Sequence, residues 1–191
     1  MNKWSQKRTI MRRYDLTAEM YETRYAEEQA VKYKAALKSL NINGDSRVLD
    51  VGCGTGLLFS QVAAEAQTVV GADVSSRLLL QAKEHARKFR NVHLVQADAD
   101  HLPFISNYFN LVFAFTVLQN MPNPRETLSE IKRNATRDAS IVVAGLKKAF
   151  PLEIFRRLLL DAGFRVVSLE DADPLKCYVA VTVQKQTSAF F

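Results

Sequence analysis

Short runs of β-branched and other apolar residues alternate with amphipathic stretches along most of this sequence, and that alternation constrains its fold more than any other feature. Five such runs predict strands at 47–51, 68–74, 92–98, 110–117 and 140–146. Apolar positions three or four residues apart predict four helices, with faces at Leu58, Val62 and Ala66; Leu79, Ala82, Ala86 and Phe89; Leu128, Ile131 and Ala135; and Leu152, Phe155, Leu159 and Ala162. This order predicts a parallel sheet with right-handed crossovers and helices on both faces.

The end of the chain breaks this pattern. Two further strands, predicted at 165–171 and 175–184, are separated by three residues, "ADP". A connection that short cannot cross over the sheet, so the last two strands must pair antiparallel. We therefore predict an α/β fold: a single Rossmann-like, doubly wound domain with a seven-stranded, mostly parallel sheet. We assign residues 14–185 to this domain, beginning with a helix at 15–40, and residues 186–191 to a C-terminal tail.

The composition limits the class of protein. Hydrophobic residues make up 48% of the 191 residues and charged residues 24%, which is typical of a globular protein. Cys53 and Cys177 are the two cysteines, too few for a disulfide framework or a four-cysteine metal site. No apolar run approaches the roughly 18 residues of a membrane span. We therefore expect a cytoplasmic protein with no membrane association and no metal, since no pair of its three histidines has metal-ligand spacing.

The net charge of +6 is concentrated at the N-terminus. Residues 1–13 contain five cations and no acid: Lys3, Lys7, Arg8, Arg12 and Arg13. We interpret this segment as a basic arm outside the domain. Two readings of the arm stay open, because it can be a solvated, frayed terminus or a segment that contacts the phosphates of a nucleic acid.

The first predicted strand runs into a glycine-rich loop, "VLDVGCGTG" at 48–56, which then opens a helix. Ligands of open parallel sheets bind beyond the carboxyl ends of the strands, and glycines let them approach the backbone closely. The spacing of Gly52, Gly54 and Gly56 is G-x-G-x-G, which differs from the G-x-G-x-x-G that binds a dinucleotide pyrophosphate. Asp50 would repel a pyrophosphate, and it suits a ligand with a cationic group.

From Tyr14 to Gln184 the chain resembles class I S-adenosylmethionine-dependent methyltransferases. Five segments, which occur in the order typical of that family, carry the resemblance. They are "VLDVGCGTG", "VVGADVS", "VQADADHLPF", "FNLVFAFTVLQNMPNP" and "LLLDAGF". The resemblance implies S-adenosylmethionine as the cofactor. It also implies a cofactor site that consists of Tyr14, Tyr21, Arg24, Asp50, Gly52, Cys53, Gly54, Gly56, Asp73, Val74, Asp98, Ala99 and Thr116.

The resemblance implies a role for each part of that site. Asp50 would accept from the ammonium group of the methionine part, which the glycine loop surrounds. Asp73 would bind both ribose hydroxyls, and Asp98 would accept from the adenine amino group, with the Ala99 N–H donating to the ring. Thr116 would lie near the sulfonium. Among the N-terminal residues, Tyr21 and its neighbours Tyr14 and Tyr25 would close over the cofactor unless they are a plain packing stripe, and Arg24 would pair with its carboxylate.

The acceptor side carries weaker signals. Thr116, Gln119 and Asn120 in "TVLQN" are candidates to face the acceptor, but none can act as a strong base. Only "KKAFP" separates the fifth strand from the next helix, so no inserted lid closes the site. Four basic residues are expected to flank this open mouth or to form a solvated face: Lys147, Lys148, Arg156 and Arg157.

These features predict methyl transfer to a macromolecule, either RNA or a translation-related protein. Two alternatives stay open, a small-molecule methyltransferase and a non-catalytic cofactor-binding scaffold. The strand at 92–98 is expected at an edge of the sheet, where Val92, Leu94 and Val95 would be exposed unless a partner covers them. The chain also resembles minimal methyltransferases of the translation machinery. This resemblance implies that a small zinc-binding activator subunit binds at that edge.

Overall fold

A computed structural model describes residues 2–173 and 175–185 of the chain. Within these residues the sheet contains β1 (Arg47–Val51), β2 (Thr68–Asp73), β3 (Val92–Gln96), β4 (Phe109–Phe115), β5 (Ala135–Leu146), β6 (Phe164–Glu170) and β7 (Cys177–Gln184). The helices are α1 (Lys3–Thr17), α2 (Tyr21–Leu37), α3 (Phe59–Val62), α4 (Ser76–Ala86), α5 (Pro124–Asn134) and α6 (Leu152–Asp161). The predicted tail at 186–191 lies outside the described residues.

The sheet has the strand order β3-β2-β1-β4-β5-β7-β6. The strands β1 to β5 pair in parallel, and β7 pairs antiparallel with both β5 and β6. The predicted fold class, including the antiparallel last pair, is therefore confirmed. The strand order changes direction between β1 and β4, so a crevice opens beyond the carboxyl ends of these two strands.

The core lies on both faces of the sheet because successive side chains of a strand point to opposite faces. On β4, Val112 and Ala114 pack into one hydrophobic cluster, and Leu111 and Phe113 into the other. All four are at most 4% exposed. Burial on both sides explains why the central strands appear in the sequence as continuous apolar runs rather than alternating ones.

Local signals fix most of the helix ends. The Ser75 side chain accepts a hydrogen bond from the Leu78 N–H at the start of α4, and Asn123 caps α5 just before a proline. Gly163, two residues after the end of α6, adopts a φ of +85°, the left-handed conformation in which many helices end.

Three helix predictions were wrong in extent. The helix predicted at 15–40 is interrupted by a 3₁₀ turn at Ala18–Met20 and continues as α2 to Leu37. The first predicted crossover helix contains only Phe59–Val62 in regular α-helical form, followed by turns as far as residue 65. Ala135, assigned to the face of the third helix, begins β5 instead. Its partner in the sheet is Phe109 on β4, and pairing with a neighbouring strand decides the conformation of a residue whose own propensity favours a helix.

The N-terminal segment differs most from its prediction. Residues 3–13, interpreted from the sequence as part of a basic arm outside the domain, belong to α1, whose first turn is capped by Asn2 accepting from the Ser5 N–H at 2.8 Å. Polar contacts hold α1 against the domain: Lys3 pairs with Glu126, and Arg13 donates to the Asn120 side chain at 3.1 Å. A charged helix docked by such contacts lacks the apolar stripe that sequence periodicity detects.

None of the helices in the described ranges is both long and apolar enough to cross a membrane.

Candidate functional site

The glycine loop follows β1 at the crevice between β1 and β4. Gly52 has a φ of +70° and Gly56 a φ of +81°, both in the left-handed region. A Cβ at Gly52 would lie 2.6 Å from Cγ2 of Val117, and one at Gly56 would lie 2.3 Å from the ring of Phe59. The loop therefore needs glycine both for its backbone angles and for its packing against neighbouring side chains.

Asp73, the last residue of β2, ties this loop to the next strand. Its carboxylate accepts from the Gly54 N–H at 2.9 Å and from the Ser75 N–H at 2.8 Å. Burial raises the pKa of Asp73, although these backbone hydrogen bonds oppose the increase. The carboxylate faces a cavity and retains lone pairs for further donors.

That cavity, here called the first cavity, lies over the carboxyl ends of β1, β2 and β4. It brings together nine of the predicted cofactor residues, which are Tyr14, Tyr21, Gly52, Gly54, Asp73, Val74, Asp98, Ala99 and Thr116. Gly56 does not line this cavity, but its lack of a side chain leaves room for the ring of Phe59 beside the loop.

Asp50 and Cys53 lie in a smaller pocket behind the loop, here called the polar recess. Asp50 is 3% exposed, and burial together with the charge of Asp73 raises its pKa to about 8. Two buried oxygens near it, Gln29 Oε1 and Thr55 Oγ1, have no hydrogen-bond partner within the described residues. A buried carboxyl group with unpartnered oxygens around it is suited to bind a cationic group such as an ammonium.

Asp98 has a partner that sequence reasoning missed. Lys7 of α1 is buried, and its Nζ donates to both Asp98 oxygens at 2.7 Å and also contacts Asp100. Partial burial opposes ionisation of Asp98, but the hydrogen bonds from Lys7 and from the Asp100 N–H outweigh it and lower the pKa of the carboxyl. The basic segment thus contributes a cation to the wall of the first cavity rather than to solvent.

Thr116 follows β4 and lies between two cavities. Its φ of +61° is unusual for a β-branched residue. The Thr116 carbonyl accepts from the side-chain amides of Gln119 and Asn120, and these contacts hold the turn. On the side chain, Lys32 Nζ donates to Thr116 Oγ1 at 3.3 Å. Lys32 is 1% exposed and was also missed, because it lies on a helix far from any motif.

A second cavity of about 910 Å³ opens on the other side of Thr116. It contains the predicted acceptor-facing residues Gln119 and Asn120, and Arg24, which was assigned to the cofactor, lies here rather than in the first cavity. The two cavities share four lining residues: Tyr14, Tyr21, Thr116 and Asn120. A ligand in one can therefore meet a ligand in the other at this junction.

The tyrosines form a contiguous group at that junction. The ring of Tyr21 lies 6.2 Å from that of Tyr14 and 5.0 Å from that of Tyr25, centroid to centroid. Asn120 donates to the Tyr14 hydroxyl at 3.0 Å, which ties α1 to the turn after β4. Tyr14 and Tyr21 line both cavities, so they lie where the two cavities meet.

The basic residues predicted at the mouth separate into two groups. Lys147 and Lys148 line the second cavity. Arg156 and Arg157 lie on the exposed face of α6, and Arg157 approaches Asp161 at 3.5 Å. The second pair therefore agrees with the alternative of a solvated face, because the direction of a helix face depends on how the helix packs against the sheet.

The histidines lie apart from this junction. His85 contacts Glu22 at 2.9 Å, and His101 is exposed and approaches Asp98 at 3.6 Å. Across 2–173 and 175–185, no group of three or more histidine, cysteine or acidic side chains could hold a metal ion.

The fold and the acidic, glycine-lined cavity define an S-adenosylmethionine-binding α/β domain. A family model described as "Methyltransferase domain" matches residues 49–143. The chain belongs to the class I S-adenosylmethionine-dependent methyltransferases. The family cofactor fits the residues present, since the recess offers Asp50 and unpartnered oxygens to an amino-acid group.

Curated relatives match only part of this chain. Demethylmenaquinone methyltransferases of Staphylococcus saprophyticus and Staphylococcus carnosus are 33% and 34% identical over 110 residues, which is 56% of this chain. The matched part is 47% and 46% of those proteins. The chain thus spans about half the length of the curated relatives it matches.

Solved structures share the fold over a larger part of the chain. A SAM-dependent methyltransferase from Aquifex aeolicus has a TM-score of 0.69 and 22% identity, covering 79% of this chain and 89% of that one. The putative methyltransferase solved with the Haloferax volcanii Trm112 activator has a TM-score of 0.72 and 18% identity, covering 91% and 98%.

Proposed function

We propose that this chain transfers the methyl group of S-adenosylmethionine to an acceptor bound in the second cavity. The observation that carries this proposal is the junction at Thr116, where a cavity suited to the family cofactor meets a larger cavity open to an acceptor. When bound, the cofactor supplies a sulfonium-activated methyl group, which the lone pair of the acceptor takes as the carbon–sulfur bond breaks. The protein aligns the two ligands and excludes water.

The amino-acid part of the cofactor is assigned to the polar recess. Asp50 in its ionised form pairs with the ammonium group, and Gln29 Oε1 and Thr55 Oγ1 accept its remaining hydrogens. Their burial without partners supports this assignment, because each such oxygen costs stability until a donor reaches it. The N–H groups of Gly52 and Cys53 already donate to the Ala72 carbonyl, so they hold the loop in shape.

Asp73 and Asp98 are assigned to the nucleoside part. Backbone donors already orient the Asp73 carboxylate, which leaves one lone pair on each oxygen for the two ribose hydroxyls. Asp98 would accept from the adenine amino group, and Val74 and Ala99 line the same cavity. Lys7 keeps Asp98 ionised and competes with the adenine for the same oxygens.

The acceptor is methylated without a strong base. Glu28 is the carboxylate that lines the second cavity within the described residues. Burial raises its pKa, but hydrogen bonds from Lys32 and Lys176 outweigh burial and lower it, so Glu28 is a poor proton acceptor. Gln119 and Asn120 can orient an acceptor but cannot remove a proton. An acceptor atom with a free lone pair fits this site.

The acceptor is RNA or a translation-related protein. The basic lining of the second cavity supports an anionic macromolecule over a neutral quinone, although the matched curated relatives are named for demethylmenaquinone. The deciding experiment is transfer from methyl-labelled S-adenosylmethionine to separated RNA, protein and lipid fractions. Label in RNA or protein supports the proposal, and label confined to lipid establishes the small-molecule alternative. A chain that binds the cofactor and labels none of the fractions is a scaffold.

A partner is assigned to the free edge of the sheet. β3 is the edge strand next to β2, and Val92, Leu94 and Val95 on it are only half-buried. A second protein can extend the sheet there by strand addition. We assign this edge to a small zinc-binding activator, since a structural neighbour was solved with an activator named Trm112. Co-expression with a candidate activator should raise the solubility and activity of the chain, and Leu94→Lys should abolish that gain.

The same proposal includes a cytoplasmic location. Cys53 and Cys177 are both unpaired and buried, which is compatible with a reducing compartment. Fractionation of the source cells with an antibody to the chain tests this location.

A further inference from the structure

The walls of the second cavity carry an unusual excess of positive charge. Six cations line it: Arg13, Arg24, Lys32, Lys147, Lys148 and Lys176. Glu28 pairs with Lys32 at 2.7 Å and with Lys176 at 3.4 Å, and Lys147 pairs with Asp171 at 2.7 Å. The other three cations have no acidic partner in the part of the chain that the structure describes. Positive charge in a concave site concentrates anions.

Aromatic rings lie beside these cations. Tyr14, Tyr21 and Tyr25 line the second cavity as a contiguous group, and Tyr25 is 40% exposed. Arg13 lies over the Tyr14 ring, with its guanidinium carbon 5.0 Å from the ring centroid. Flat side chains next to cations are the elements with which proteins bind unpaired bases and their phosphates.

The cavity also contains amide oxygens without donors. Gln119 Oε1 is buried and has no hydrogen-bond partner within the described residues, and the same holds for Gln29 Oε1. Both side chains line the second cavity, and Gln29 is 5% exposed. Gln29 also lines the polar recess, where it is assigned to the cofactor, so Gln119 is left for the acceptor. A bound N–H group would satisfy it.

We infer that the second cavity binds a single unpaired nucleotide of RNA, with its phosphates on Arg24 and Lys148, its base against the tyrosines and a base N–H on Gln119. This inference rests on the proposed function and names its acceptor. A peptide could supply the N–H group, but a peptide segment carries neither the flat ring nor the regular negative charges that this combination of side chains matches.

The volume agrees with this occupant. A cavity of about 910 Å³ lies at the upper end of the range of small-molecule sites, so it has room for a base, a ribose and adjoining phosphates. It is also open to solvent, as a site for one residue of a longer strand must be. The methyl-accepting atom would then lie on the base, at the Thr116 junction.

Equilibrium binding tests the inference without methyl transfer. The probe is a fluorescein-labelled single-stranded RNA of about eight nucleotides and mixed sequence, titrated with the full chain and followed by fluorescence anisotropy. The double variant Arg24→Gln/Lys148→Gln should bind at least about tenfold more weakly. Its plot of log affinity against log salt should be shallower by about 1.4, since about 0.7 is lost per phosphate contact.

The matched control removes the same charge elsewhere. Arg156→Gln/Arg157→Gln lies on the exposed face of α6 and should leave the affinity within about twofold of the original chain and the salt slope unchanged. Tyr25→Ala should weaken binding by at least about fivefold at every salt concentration without changing the slope, because stacking does not involve counterions. Thermal unfolding of each variant shows whether it is folded.

Several results would overturn the inference. They are equal weakening by the two double variants, RNA binding that the cavity variants leave unchanged, or tighter binding of a polyglutamate peptide than of RNA. The proposed function fails separately, if the chain does not bind S-adenosylmethionine or transfers no methyl group to any fraction. A chain that methylates protein but binds no RNA retains the function and loses this inference.

Discussion

The first and second cavities meet at Thr116, yet they are built in different ways. The first has its glycines after β1 and its acidic groups, Asp73 and Asp98, at the end of β2 and just after β3, with Asp73 held by two backbone donors. The second is lined by α1, α2 and the segments after β5 and before β7, and it contains six cations and one carboxylate. Short stretches of sequence assemble the first cavity, whereas distant segments brought together by folding assemble the second.

This difference separates two tasks. A shared cofactor requires one fixed arrangement, which strand ends and a glycine loop provide because the sheet holds them rigidly. An acceptor differs between members of a family, and helices outside the sheet can change their side chains without disturbing the core. Charge also directs opposite ligand groups to different places, an ammonium to Asp50 in the polar recess and anions to Arg24 and Lys148 in the second cavity.

The largest expected effect tests the first cavity. Asp73→Ala removes the acceptor of the Gly54 and Ser75 N–H groups and of the proposed ribose hydroxyls. Each buried donor left unpaired costs about 1–3 kcal/mol, so affinity for S-adenosylmethionine should fall by at least about tenfold in calorimetry. The chain should also unfold at lower temperature. Asp138→Ala removes an exposed acid and should change neither quantity. Unchanged affinity in Asp73→Ala would exclude this residue from the site.

The next prediction uses the pH dependence of the polar recess. In the ligand-free chain the pKa of Asp50 is about 8, so at lower pH the carboxyl is mostly protonated. Binding an ammonium there releases that proton, and affinity for S-adenosylmethionine should therefore rise by up to about tenfold per pH unit between about pH 6 and 7.5. Asp50→Asn should bind more weakly and show a flat profile. An equally steep profile in this variant would place the titrating group elsewhere.

The same shift predicts an opposite effect on stability. The folded pKa of Asp50 lies above its unfolded value, so the folded chain holds this proton more tightly. Its contribution to stability is present at about pH 4 and is lost as the pH rises toward 8. Asp50→Asn should therefore unfold at a higher temperature than the original chain at about pH 8, and the difference should shrink toward about pH 5. Scanning calorimetry of the two ligand-free proteins measures their unfolding temperatures at each pH.

A smaller effect is expected where α1 covers the first cavity. Lys7→Met removes the cation that bridges Asp98 and Asp100, while it keeps most of the apolar stem. Amide hydrogen exchange in α1 should become faster by about tenfold or more, as expected for a loss of local stability above about 1.4 kcal/mol. Arg8→Met, on the exposed side of the same helix, should leave exchange unchanged. Equal protection in both variants would show that Lys7 does not hold the helix.

The smallest effects are expected at the histidines. His85→Ala, His93→Ala and His101→Ala should each retain activity within about threefold, because no proton transfer at the junction depends on them. The measurement is the initial rate of methyl transfer to whichever of the RNA, protein and lipid fractions accepts the label. A loss of about a thousandfold at one histidine, in a folded chain, would reveal a general base.

The strands were the most predictable part of the fold. The bounds of β1 agree with the prediction at both ends, and the start of β2 agrees as well. Buried strands carry unbroken β-branched runs, so their limits are written in the local composition. Ala135 shows where this reasoning fails, since its pairing with Phe109 depends on a strand more than twenty residues away.

The sequence by itself determined the fold class, the family and the acidic residues at the strand ends, because each depends on neighbours within a few positions. Only the tertiary structure decided that Lys7 covers the first cavity, that Lys32 lies beneath Thr116 and that Arg156 points away from the site. The physical reason is that a charged side chain on a helix has no strong local preference. Its position is decided by the carboxylate, cavity or solvent that the packing of the helix places opposite it.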